Sequence, residues 1–125
     1  MKNKILLLFA ATFILTGCYE RERVCTDFKT GKFKFEHEID GVKQVTLFER
    51  REDIEIDTYE GKTDTSYVRW INDCEYILQK INPKNMQEKK AVHMKILSTT
   101  EKTYTFEFSV VGDSNKQKGT VTKLN

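Results

Sequence analysis

The chain has 125 residues, with 21 lysines and arginines against 19 aspartates and glutamates, a formal charge of +2. Both excess charges are Lys2 and Lys4, so from residue 18 onward the signs balance at 19 each. A nucleic-acid binder shows a clustered basic face; none is present, and no nucleic-acid partner is expected. Residues 18–125, 108 in all, make one small domain, near the lower end of what builds a core unaided.

Lys2 and Lys4 precede an apolar run of eleven residues, Ile5 to Leu15, that closes on Leu15-Thr16-Gly17-Cys18. A basic start, an apolar centre and small residues at the end are the three parts of a secretory signal. Eleven apolar residues fall short of the roughly 20 that span a bilayer, so the run reads as a processed signal. Leu-x-Gly-Cys at this distance from the start resembles a bacterial lipoprotein signal peptide. The resemblance implies that residues 1–17 are removed and that Cys18 carries a thioether diacylglycerol, usually with an acylated amine. The mature protein would then be anchored in a membrane on an extracytoplasmic face of the cell envelope, since more than one acyl chain gives stable anchoring. The rival reading is an ordinary signal cut near Gly17, with Cys18 an unmodified thiol.

If Cys18 is lipidated, Cys25 and Cys74 are the pair that remains. In an oxidising compartment such a pair usually forms a disulfide. The 49-residue separation corresponds to roughly 4 kcal/mol of stabilisation in the chain-entropy picture. A redox or metal-binding thiol pair is the alternative; the sequence has no Cys-x-x-Cys to support it. Residues 18–27, from Cys18 through the charged Tyr19-Glu20-Arg21-Glu22-Arg23, read as lipidated cysteine and tether, and residues 28–125 as the folded domain.

From Phe28 the pattern is period two. Phe33, Phe35, His37 and Ile39 share one face and Lys32, Lys34, Glu36 and Glu38 the other, the mark of a half-buried strand. Asp40-Gly41 predicts a hairpin turn. A second strand covers about residues 43–50, with Val45 and Leu47 on one face. After Arg51 to Asp53, Ile54 and Ile56 alternate with Glu55 and Asp57 in a third strand that Glu60-Gly61 ends. Residues 65–71 and 74–81 form a fourth and fifth strand joined at Asn72-Asp73. Plain alternation there groups Tyr67, Ile71, Tyr76 and Leu78 on one side and Val68, Trp70 and Ile77 on the other. Asn82-Pro83 stops the fifth strand, and residues 84–90 are the longest connection. Val92, Met94 and Ile96 mark a sixth strand, Tyr104, Phe106, Phe108 and Val110 a seventh, and residues 119–124 a short eighth after the turn at Gly112 to Asn115.

Eight short, evenly spaced strands predict an all-β antiparallel up-and-down meander, which hides its edges by closing into a barrel. In that order Cys25 and Cys74 fall at the same end, as a disulfide requires. The chain looks like a lipocalin-like barrel over about residues 28–124, with Lys29-Thr30-Gly31-Lys32-Phe33 similar to the Gly-x-aromatic opening of that family's first strand. The chain is shorter than typical lipocalins and lacks their C-terminal helix. Asp27-Phe28-Lys29-Thr30-Gly31 together with Trp70-Ile71-Asn72-Asp73-Cys74-Glu75-Tyr76 resembles a family of small envelope lipoproteins with no settled function. Members of it sometimes carry the label DNA topoisomerase IV. The residues give that label no support: a type II topoisomerase needs a tyrosine nucleophile, a Mg²⁺ carboxylate site and large moving gates.

The two histidines are His37 and His93. His37, on the apolar face, reads either as a core-edge residue satisfied by a neighbour or as a ligand contact or metal ligand; His93 reads as solvent-facing. No zinc set has trustworthy spacing. Glu49, Glu52, Asp53, Glu55 and Asp57 are expected on a solvated outer face rather than as a catalytic carboxylate pair. Gly-x-Ser-x-Gly, P-loop and His-Glu-x-x-His motifs do not occur, so no enzyme and no cofactor is expected. Phe33, Phe35, His37, Trp70, Phe106 and Phe108 are the candidate lining of an interior site. A barrel of eight strands is just wide enough to be filled or to hold one small ligand. Two functions follow: a lipid-anchored, non-catalytic module that binds a small hydrophobic ligand, with residues 84–90 as a lid, or a structural or protein-interaction component of the envelope with a packed barrel.

Overall fold

A computed structural model describes residues 23–125; residues 1–22, with the expected signal segment and Cys18 among them, lie outside the described residues. A 3-10 turn, Cys25–Phe28, leads into eight strands: β1 (Gly31–Ile39), β2 (Val42–Arg50), β3 (Ile54–Tyr59), β4 (Lys62–Asn72), β5 (Glu75–Lys80), β6 (Val92–Thr99), β7 (Thr103–Val110) and β8 (Gln117–Lys123). Each strand pairs with its sequence neighbours and β1 closes on β8, so the meander is a closed barrel, as the spacing predicts. Asp40-Gly41 and Glu60-Gly61 both have two consecutive positive φ angles, 52° and 78° in the first and 48° and 76° in the second. That is the two-residue hairpin geometry that matches strand twist. Glu60-Gly61 therefore sends the chain straight into β4, three residues earlier than the alternation alone indicates.

Strand polarity places β1–β2, β3–β4, β5–β6 and β7–β8 connections at one rim and the chain entrance at the other. Cys25 and Cys74 meet at the entrance end in a disulfide, their Cα atoms 5.2 Å apart. Residues 23–27, expected as tether, are seated on this end: Arg23 Nη1 donates to the Ile96 carbonyl and the Val24 amide to Thr99 Oγ1. The core stacks inward from the disulfide through Phe28, Phe33, Ile96, Tyr104, Phe106 and Val121. Each such side chain contributes about 1.5–3 kcal/mol on burial.

Register corrects the expected faces of the middle strands. Phe33 pairs with Phe48 and Phe35 with Thr46, so β2 turns Phe48, Thr46 and Arg50 inward and Val45 and Leu47 outward. Arg50 pairs with Glu55 and Phe48 with Asp57, which brings both β3 carboxylates inside and leaves Ile54 and Ile56 outside. In β4 and β5, Val68 pairs with Leu78 and Trp70 with Tyr76; an irregularity between Trp70 and Asn72 absorbs Ile71. Val68, Trp70, Tyr76 and Leu78 thus share the inner face, while Tyr67 and Ile71 are exposed. Strict alternation cannot pass through a bulge unchanged.

The barrel is not uniform in height. β1 pairs with β8 only over Phe33–Phe35, and β2 with β3 only over Leu47–Arg50. The rest of the β1–β2 hairpin stands beyond the wall as a two-stranded ribbon, with Ile39 52 % and Val42 59 % exposed at its tip.

Candidate functional site

The parity of β2 and β3 carries a charge into the barrel interior, toward the entrance end. Arg50 is 1 % exposed and Glu55 4 %. Arg50 Nε and Nη2 both donate to Glu55 Oε1, at 3.1 and 3.0 Å. Nη1 donates to the Phe28 carbonyl at 2.7 Å, and Nη2 also reaches Tyr76 Oη at 2.6 Å and Tyr104 Oη at 3.0 Å. The guanidinium lies 4.6 Å from the Tyr76 ring centre and 5.0 Å from that of Phe33. A buried ion pair holds only where the remaining donors are satisfied, and aromatic faces add cation–π attraction. Burial opposes the Arg50 charge, but Tyr76, Tyr104 and Glu55 outweigh it and hold the guanidinium above its ordinary pKa. Burial lifts the phenols of Tyr76 and Tyr104 above their ordinary values against the pull of Arg50.

Above this polar floor lies a cavity of about 200 Å³. Its walls include Phe35, Phe48, Phe106 and Phe108, with Thr46, Asp57 and Met94 between the rings. Asp57 also borders a second cavity of about 280 Å³ under residues 87–92. Burial first, then the neighbouring Glu55 carboxylate, push Asp57 up to about 8, against the opposite pull of Arg50. Among the described residues no lysine or arginine forms an ion pair with Asp57: Lys80, which borders the same second cavity, is paired with Asp64 and Glu88. Glu88 fixes that loop further by accepting from the Lys84 amide.

The candidate lining residues divide. Phe35, Phe106 and Phe108 border the cavity. Phe33 is fully buried below it, stacked on Phe48 with ring centres 5.0 Å apart. Trp70 packs on Tyr76 near the disulfide end, with Lys29 Nζ 5.1 Å above its ring centre. His37 stacks on Phe35 toward the rim, and its buried Nδ1 has no hydrogen-bond partner, so the neighbour that would satisfy it is missing. His93 is half-buried on the outer wall, with Nε2 3.6 Å from Glu75 Oε1. Glu55 and Asp57 overturn the expectation of a solvated acidic face; Glu49, Glu52 and Asp53 remain on the outer wall and the turn.

Arg50, Glu55, Tyr76 and Tyr104 are the residues that sequence reasoning missed as a group. A signal was present: counting by two from Phe48 reaches Arg50 on the same face as the first strand's phenylalanines. No protein-family model matches the chain, and neither a curated protein nor a solved structure matches it.

Proposed function

We propose that this is a lipid-anchored extracytoplasmic lipoprotein, related to the small envelope lipoproteins it resembles, whose barrel binds one small ligand without catalysis. The cavity of about 200 Å³ between an aromatic wall and a fixed polar floor is the observation that carries the reading. An apolar cavity of about 150 Å³ admits benzene, whereas drug-sized ligands occupy about 300 Å³ or more. The ligand is therefore no larger than a substituted ring or a short branched chain. The anchor rests on Leu15-Thr16-Gly17-Cys18, and the Cys25–Cys74 disulfide accords with export to an oxidising compartment. Native mass spectrometry of the protein recovered from its own envelope tests both parts. The expected result is a mass that includes acylated Cys18 and lacks residues 1–17, with one small molecule released on denaturation. An empty protein that also fails to take up small aromatic compounds would refute the binding reading; retention of Met1 would refute the anchor.

A second reading is an envelope interaction protein. It is favoured by the β1–β2 ribbon, whose tip presents Ile39 and Val42 to solvent beyond the barrel wall. Crosslinking from the tip to another envelope protein, lost in Ile39→Ser/Val42→Ser, is its expected signature.

A further inference from the structure

We propose that the cavity selects a small organic monocation, a protonated amine on a compact apolar body, with the ammonium group held at Asp57 and the body between Phe35, Phe48, Phe106 and Phe108. This inference rests on the small-ligand reading above and adds the ligand's charge.

Arg50 and Glu55 neutralise each other within the floor. Arg50 borders the cavity but makes five hydrogen bonds to Glu55, Phe28, Tyr76 and Tyr104, so its charge is already committed within the floor. Asp57 is the third charge-bearing group on the cavity wall and has no cationic partner among the described residues. The groups around it are Glu55 on its own strand, Arg50 from β2, Asp64 from β4, and Lys80, Glu88 and Lys90 from β5 and the loop beyond. Arg50 is committed to Glu55, and Lys80 to Asp64 and Glu88. An incoming ammonium group would supply the countercharge that lets Asp57 ionise. Four phenylalanine rings beside it add cation–π attraction, which strengthens when water is excluded. A carboxylic acid that is uncharged in the free protein would ionise on binding an amine, so complex formation releases a proton near neutral pH.

Three probes with one phenylethyl skeleton separate the possibilities: phenethylamine, 2-phenylethanol and 3-phenylpropionate, cationic, neutral and anionic at pH 6.5. Each is titrated calorimetrically into the full chain, in buffers of differing ionisation enthalpy. The expected order is amine first by about tenfold or more over the alcohol, with the anion weakest, and proton release with the amine alone. Asp57→Asn, nearly isosteric and checked by thermal melting, is expected to bring the amine down to the alcohol and to leave the alcohol's affinity unchanged. Equal binding of alcohol and amine, or preference for the anion, overturns the monocation assignment and leaves the small-ligand reading standing. A preference that survives in Asp57→Asn overturns the role of Asp57. Failure of all three probes to bind overturns the small-ligand reading itself.

Discussion

Replacing Arg50 with methionine tests the buried floor most directly. Arg50→Met preserves much of the side-chain volume and removes the charge, together with the five hydrogen bonds to Glu55, the Phe28 carbonyl and the two phenols. Glu55, 4 % exposed, is left as a buried anion with nothing opposite it. Breaking one side of a buried pair costs about 3–5 kcal/mol, a large part of the roughly 5–15 kcal/mol that holds a domain of this size folded. At about 4–8 °C per kcal/mol, the melting temperature should fall by more than about 12 °C. The double replacement Arg50→Met/Glu55→Leu removes the orphaned charge as well and should recover most of the loss, because an apolar pair of similar volume often stabilises as well as an ion pair. The assay is urea unfolding at pH 7 of the wild type, both single variants and the double. A loss under about 1 kcal/mol in Arg50→Met, or a double variant as unstable as the sum of the singles, would refute the claim that the ion pair organises the floor.

Other expected outcomes follow from single features. Asp57 has its pKa raised to about 8 from an ordinary 3.8, so the native state keeps a proton that the unfolded chain has lost between those values. Its contribution is complete below about pH 4, is lost progressively as pH rises to about 8, and then levels off. The stability difference between wild type and Asp57→Asn should follow that curve in urea titrations; a difference constant with pH would contradict it. Cys25→Ser/Cys74→Ser should lower stability by about 4 kcal/mol, and reduction of the wild type by dithiothreitol should reproduce the effect. A Cβ at Gly119 would sit 2.7 Å from the Phe35 ring and 2.9 Å from that of Phe106. Gly119→Ala should therefore cost about 1–3 kcal/mol through overpacking, measured by thermal melting, and should shrink the cavity between those rings.

The order of strands, the Asp40-Gly41 hairpin and the disulfide were legible because each depends on local chemistry: period-two runs, an Asp-Gly turn, and a cysteine pair that the meander brings to one end; Glu60-Gly61 was legible as the end of a strand but not as a tight hairpin. The interior of β2 to β5 was not legible. Val45, Leu47, Ile54, Ile56 and Tyr67 place apolar side chains on the outer wall, so hydrophobic alternation no longer distinguishes inside from outside. Arg50 and Glu55 compound the difficulty. They stand close to the polar run Arg51-Glu52-Asp53 and look like part of it, yet cross-strand pairing makes them partners in the barrel's floor. Among the candidate lining residues, Phe35, Phe106 and Phe108 share inner-face parity with Phe33. Height along the strand, which parity does not report, separates the cavity wall from the packed base.

The Cys25–Cys74 link also bears on mechanics. It joins the segment that enters the barrel to the β4–β5 turn, a point 49 residues further along the chain. A pull applied upstream of Cys25 is carried through covalent bonds into the middle of the sheet, and the entering segment cannot be peeled from the end of the barrel by rupture of its few hydrogen bonds. The base of the barrel is thereby reinforced against shear, while the ribbon at the far end remains free to deflect.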